Sequence, residues 1–171
     1  GEIKRKDIVY NYRYTGGDVT IYEMTGKQLK DYMEWAADYF DTIQPGDTEY
    51  RYNSERAGRK YVTFDIFGGV KYKIDLRNEK GNKITNLMLV NGTKITPEMK
   101  LKVGMNAYRF EQLARKGGIF DGQEIPVLWA SKEAIGNIKG TIQNMMIDYI
   151  RNVKNGVIEG KSHNNWEIIG L

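Results

Sequence analysis

Residues 18 to 24, DVTIYEM, alternate apolar and polar positions with the period of two that a half-buried strand requires. TGKQ follows at once, and Thr25 with Gln28 three residues on makes a capping-box pattern, so a helix is predicted to start there. Across KQLKDYMEWAADYF, Leu29, Met33, Ala36, Ala37 and Phe40 recur at i, i+4, i+7, i+8 and i+11, one apolar stripe of an amphipathic helix. QPGD at 44 to 47 reads as the loop after it. YVTFDIF and VKYKIDL flank Gly68-Gly69 and both alternate, which predicts an antiparallel hairpin over 61 to 76. KITNLMLV and TKI flank Asn91-Gly92, the strongest short hairpin signal in the chain. MKLKVGMN at 99 to 106 is a further strand.

A last long helix is predicted from Ser131, because Ile135, Ile138, Ile142, Met145, Tyr149 and Val153 keep helical spacing through MMIDYIRNV. Gly136 and Gly140 weaken its first turns by about 1 kcal/mol each. HNNWEIIG reads as a short closing strand. Hairpins combined with separate amphipathic helices predict an α+β fold. The expected architecture is a single domain over residues 1–171, a mixed or antiparallel sheet with helices packed on it.

Composition narrows the chemistry. The chain has 171 residues, 40% hydrophobic and 28% charged, enough to bury a core, with no repeat or low-complexity segment. No run approaches the roughly 18 apolar residues of a membrane span, so none is predicted. Cysteine is absent, which excludes disulfides, thiolate metal sites and cysteine nucleophiles together. The net charge of +4, from 26 basic and 22 acidic residues, tilts the chain toward anionic partners. That excess is small and mixed, which disfavours a nucleic-acid polymer as the partner. His163 is the only histidine and cannot form a zinc or dinuclear site alone. No G-x-S-x-G, Walker A or H-E-x-x-H pattern occurs. Read from its residues alone, the chain looks noncatalytic.

Tyrosine is what stands out, with twelve in the chain. YNYRY at 10 to 14 puts Tyr10, Tyr12 and Tyr14 on one side of a predicted strand. Tyr14 precedes Thr15-Gly16-Gly17 and so lies at an element end, where binding residues gather. Tyr108 is also at a strand end, followed by Arg109 and a loop closing on Gly117-Gly118. Both tyrosines can be read as core, or as a clamp for a planar ring. Stacking on a nucleobase is worth about 1 to 3 kcal/mol per aromatic. Arg109 could then hold phosphate or ribose.

The order of these motifs resembles the C-terminal domain of the 5'-nucleotidase and 2',3'-cyclic-nucleotide 2'-phosphodiesterase family. The family's leading aspartate, aromatic-x-aromatic strand, Thr-Gly and Leu-Glu-Trp-Ser-Ala helix are matched here by Asp7, Tyr12 and Tyr14, Thr25-Gly26, and Met33-Glu34-Trp35-Ala36-Ala37. FDIFGGVKYKIDL, GNKITNLMLVNGTKI, IDYIRN and NNWEI are similar to later segments, in order over nearly the whole chain. GMNAYRFEQLARKGG resembles the family's Asn-Asn-Tyr-Arg segment with its glycine-rich loop.

The resemblance implies a substrate-specificity domain that sandwiches a base between Tyr14 and Tyr108, with Asn106, Arg109 and the Gly117-Gly118 loop beside it. Thr15-Gly16-Gly17-Asp18 carries one residue more than the family pattern, which leaves Tyr12 as an alternative to Tyr14. No cofactor is implied for this domain itself. Two divalent metal ions are implied on an N-terminal metallophosphoesterase domain of the same polypeptide, outside this chain, so the chain alone is expected to be inactive. The implied substrate is a nucleoside or nucleotide, the cyclic-nucleotide phosphodiesterase branch is favoured, and export of the parent is implied. The competing expectations are a noncatalytic single-stranded nucleic-acid module and a structural cell-surface domain.

Overall fold

Thr25 shows how local sequence becomes architecture in the computed structural model, which describes residues 1–57 and 64–171. Strand β1 (Val19–Thr25) alternates half-buried and buried residues and ends where Thr25 caps the next helix. The Thr25 backbone N–H donates to Gln28 Oε1 at 2.9 Å and Gln28 N–H donates to Thr25 Oγ1 at 3.1 Å. Two of the donors that a helix start orphans are thereby satisfied. The helix that follows, α2 (Gly26–Ala37), buries Leu29, Met33, Ala36 and Ala37 as its stripe requires.

Ahead of β1 the alternation of tyrosines misleads. Residues Arg5–Asn11 form a helix, α1, and not a strand. Asp7 accepts the Lys4 N–H at 2.7 Å and starts the turn, Ile8 alone is buried, and Tyr10 is exposed. The tyrosine side of this segment is therefore not a core side. Tyr12 to Tyr14 follow the helix and belong to no strand.

The remaining elements are α3 (Ser54–Ala57), β2 (Val70–Asp75), β3 (Ile84–Leu89), β4 (Lys100–Asn106), α4 (Ala107–Ala114), β5 (Val127–Ala130), α5 (Ser131–Ile135), α6 (Ile142–Asp148), a π-turn at Tyr149–Val153 and β6 (Trp166–Ile169). The strands form two three-stranded sheets, ordered β4-β1-β5 and β3-β2-β6. β5 runs antiparallel to β1, β3 antiparallel to β2, and β6 parallel to β2. The architecture is α+β, as predicted.

Two compact units carry these sheets. The first comprises Gly1–Met24 and Leu101–Lys161, holding sheet β4-β1-β5 with α1, α4, α5 and α6. Its interior centres on Tyr22, stacked on Phe110 at 3.9 Å between ring centroids, and on the fully buried Leu113 and Phe120. The second comprises Thr25–Lys100 and Ser162–Leu171, holding sheet β3-β2-β6 with α2 and α3. Its interior is Leu29, Tyr32, Met33, Phe40, Tyr72, Ile74 and Leu76.

Inside the second unit Glu34 spans from α2 to the start of β3. Its carboxylate accepts the N–H groups of Lys83 and Ile84 at 2.8 and 2.9 Å. Burial raises its pKa, opposed by those two amides and by Lys30 and Lys83. Lys83 is itself buried and donates from Nζ to the Phe40 carbonyl, and burial lowers its pKa.

Three further expectations change on folding. In the hairpin over 61 to 76, residues 61 to 63 lie outside the described residues, and 64 to 67 form no strand. Both edges of β2 are already taken by β3 and β6, while Phe67 N–H donates to the Tyr72 hydroxyl at 3.3 Å. The long helix from Ser131 is broken after Ile135. Gly136 takes φ +95° and the Gly140 backbone lies directly against Ser131 and Lys132, where a Cβ would collide. These glycines end the helix rather than merely weaken it. The Asn91-Gly92 turn forms as expected, but TKI contributes only an isolated bridge, Lys94 to Met88.

Candidate functional site

The turn from Tyr12 to Asp18 is held from several sides within the first unit. The Ile142 N–H donates to the Gly17 carbonyl at 2.8 Å, and Lys132 Nζ donates to the Gly16 carbonyl at 2.6 Å. Lys132 also lies 3.8 Å from Asp18. Where the turn enters β1, Ser131 Oγ accepts the Val19 N–H at 3.0 Å and donates to the Gly140 carbonyl at 2.6 Å. This is why the glycine break after α5 matters: it brings Gly140 onto the Ser131 hydroxyl that pins the turn.

Tyr12 is half-buried and Tyr14 is 68% exposed. Their rings meet edge to face, with centroids 5.6 Å apart and planes at 65°. Gln143 Nε2 donates to the Tyr12 carbonyl at 2.7 Å. Burial, then the neighbouring Tyr14 and Asp18, raise the Tyr12 pKa, so its hydroxyl is neutral across the physiological range.

Tyr108 is not at a bare strand end but in the first turn of α4. Asn106 caps that helix, its Oδ1 accepting the Tyr108 N–H at 2.8 Å. The same side chain donates from Nδ2 to the Tyr12 hydroxyl. Tyr108 is 60% exposed and Arg109 half-buried beside it. The backbone completes the connection, since Ala107 N–H donates to the Asp18 carbonyl at 3.1 Å.

Of the residues singled out in the sequence, Tyr12, Asn106 and Tyr108 thus share one hydrogen-bonded frame, and Tyr14 joins it through the contact of its ring with Tyr12. Gly117-Gly118 is set apart from it by α4, with about 9 Å of helix between Tyr108 and Ala114. There the chain turns, and Phe120 N–H reaches the Leu113 carbonyl at 2.9 Å. Gln143, Lys132 and Ser131 carried no sequence signal for a site, because each acts through a contact more than a hundred residues away. Beside the turn an open depression of about 460 Å³ includes Arg5, Thr15, Lys132, Asn137 and Asn144 in its lining. Among the described residues two cations and no carboxylate line it, which suits an anionic group. Among the described residues, too, no three of His, Cys, Asp and Glu come together as metal ligands, and no helix is long and apolar enough to cross a membrane.

Residues 1–115 match the model of the 5'-nucleotidase, C-terminal domain family. The chain belongs to this family. The trifunctional nucleotide phosphoesterase protein YfkN of Bacillus subtilis (strain 168) is 30% identical over 98% of the chain, which spans 11% of that relative. The 2',3'-cyclic-nucleotide 2'-phosphodiesterase/3'-nucleotidase of Haemophilus influenzae is 24% identical over the whole chain, which spans 26% of it. Among solved structures, a proposed 5'-nucleotidase of Staphylococcus aureus in complex with alpha-ketoglutarate superposes with TM-score 0.72 at 22% identity, over 95% of this chain and 29% of that one. A 5'-nucleotidase precursor of Thermus thermophilus gives TM-score 0.61 at 13% identity, over 98% of this chain and 28% of that one. This 5'-nucleotidase C-terminal domain therefore accounts for about a quarter or less of the curated relatives it matches.

Proposed function

We propose that this 5'-nucleotidase C-terminal domain binds the nucleoside part of a nucleotide for a metal-dependent phosphohydrolase, with Tyr14 and Tyr108 stacking on the two faces of the base. One observation carries the reading. Two exposed tyrosines, at 68% and 60%, stand on a single frame built by Asn106 and Tyr12. A surface tyrosine on its own needs no explanation. Two on one shared support can receive a flat ligand, at about 1 to 3 kcal/mol per ring.

Arg109 and Asn106 lie beside the rings for ribose or phosphate contacts. The domain's contribution is orientation, and a misplacement of about 1 Å can cost 100-fold in rate. Activation of water by two divalent metal ions belongs to an N-terminal metallophosphoesterase domain of the same polypeptide. The names of the Bacillus and Haemophilus relatives support a cyclic-nucleotide phosphodiesterase or nucleotidase as the parent, and export of that parent is part of the same proposal.

The test is a titration with adenosine and AMP, following tyrosine ring signals by NMR, repeated on Tyr14→Ala and Tyr108→Ala. Saturable shifts lost in both variants are expected. Equal binding by both variants would refute the clamp. Binding that favours oligonucleotides and falls steeply with salt would point to a nucleic-acid module instead.

A further inference from the structure

We infer that Tyr12 is a positioning residue, which sets the relative placement of Tyr14 and Tyr108 without touching the ligand itself. This rests on the reading of those two tyrosines as a clamp, and it replaces the view of Tyr12 as an alternative stacking ring.

Tyr12 is held at three points. Its ring lies against the ring of Tyr14, its hydroxyl receives the Asn106 side chain, and its carbonyl receives Gln143. The hydroxyl contact reaches Tyr108 in one more step. With Nδ2 of Asn106 directed at Tyr12, Oδ1 is left to cap α4 at the Tyr108 N–H, so a single amide orientation satisfies both bonds. One phenol therefore supports Tyr14 through its ring and Tyr108 through its hydroxyl. A neutral hydroxyl suits this role, since Asn106 Nδ2 needs an acceptor that does not bring a charge into a half-buried site.

The glycine pair behind the turn divides in a way that fixes the Tyr12 ring and supplies a control. A Cβ on Gly17 would collide with the Tyr12 hydroxyl and lie 3.0 and 3.1 Å from ring atoms Cε1 and Cζ. A Cβ on Gly16 would meet nothing within 4 Å. Gly17 is thus the cradle of the Tyr12 ring, and Gly16 is a matched control in the same turn.

The test uses the whole 171-residue chain as wild type, Tyr12→Phe, Gly17→Ala, Gly16→Ala and Asn106→Ser. Without ligand, Tyr12→Phe is expected to move the Asn106 side-chain amide and Tyr108 backbone amide resonances while the Tyr14 ring signals hold. Gly17→Ala is expected to move both sets, and Gly16→Ala to move neither Tyr12 nor Tyr108. Asn106→Ser keeps a good helix cap and gives up the link to Tyr12, so its melting temperature should stay near wild type. With adenosine, Tyr12→Phe, at a residue that does not touch the ligand, should weaken binding by roughly three- to tenfold, the worth of one hydrogen bond.

Unmoved Asn106 and Tyr108 resonances in Tyr12→Phe would overturn the inference, as would equal effects of Gly16→Ala and Gly17→Ala. If wild type itself gave no adenosine shifts, the clamp reading would lose its support in this chain. The ligand-free spectra would still decide the role of Tyr12.

Discussion

Tyr72 in the second unit and Tyr14 in the first carry the same phenol at 3% and 68% exposure. Around Tyr72 the rings form a continuous network. Trp166 stacks on it at 6.4 Å, Phe67 meets it edge-on, and Phe64 joins Trp166 to Phe40 and Tyr39. Each ring there covers another, and the Tyr72 hydroxyl accepts the Phe67 N–H. Tyr14 meets the ring of Tyr12 edge to face and is otherwise mostly open to the surroundings. The comparison separates two uses of aromatic side chains. A mutual network gains by excluding water from every face, whereas an exposed ring on a fixed support keeps a face ready for a ligand. Tyrosine count alone cannot tell them apart, because both units are rich in it.

The sharpest way to break this comparison is to truncate both kinds of ring. Tyr72→Ala should cost about 3 to 5 kcal/mol of stability, by analogy with other buried aromatics. Tyr14→Ala should stay within about 0.5 kcal/mol. Urea unfolding of both variants checks this, and similar values would erase the distinction.

Glu34→Ala probes the polar side of the packed region. It strands two backbone N–H groups, at about 1 to 3 kcal/mol each, and removes one of the carboxylates facing the buried Lys83. A loss of about 3 kcal/mol in chemical unfolding is expected, with nucleoside binding by the folded fraction unchanged.

Tyr108→Ala should invert that pattern. Affinity for adenosine should fall by about 1 to 3 kcal/mol while the melting temperature holds. Calorimetric titration beside thermal unfolding separates the two. Thr25→Ala removes the helix cap of α2 and should cost about 1 kcal/mol, readable in urea, with the tyrosine ring signals of the first unit unmoved.

The smallest expected effect is in acid. Hydrogen bonding from Arg77 is the main cause that holds the Asp75 carboxyl below its ordinary 3.8, since the charged form is favoured in the fold. A depressed folded pKa gives stability that is present above the unfolded value and lost as pH falls through the folded one. Arg77→Ala should therefore raise the pH of acid unfolding, measured by circular dichroism. Buried Glu34 has the opposite sign. Its pKa is raised, so its contribution weakens as pH climbs from the unfolded value through the folded one. Glu34→Gln should flatten that part of the profile.

Local pattern was enough for the elements whose signals lie within a few residues. The capping box at Thr25 and Gln28, the apolar stripe of α2, the Asn91-Gly92 turn and strand β6 were all legible, because hydrogen bonds or periodicity inside one short window decide them. Tyr14 and Tyr108 drew notice by their places beside turns and element ends, and Asn106 only through the resemblance of its segment to the family's.

Only the tertiary structure decided what those residues do. The tyrosine alternation at 10 to 14 is compatible with a helix followed by chain in no strand, and the position of Ile8 in the interior settled it. Gly136 and Gly140 could weaken or end a helix, and the approach of the Gly140 backbone to Ser131 selected the break. Tyr12 and Asn106 are 94 positions apart, so their bond has no trace in any local window. Helical and strand periods are short-range properties of one segment, while burial and side-chain hydrogen bonding depend on which distant segment arrives opposite. That is why the sequence determined the locally signalled elements and the candidate aromatics, and why folding alone determined which tyrosines are packed and which are presented.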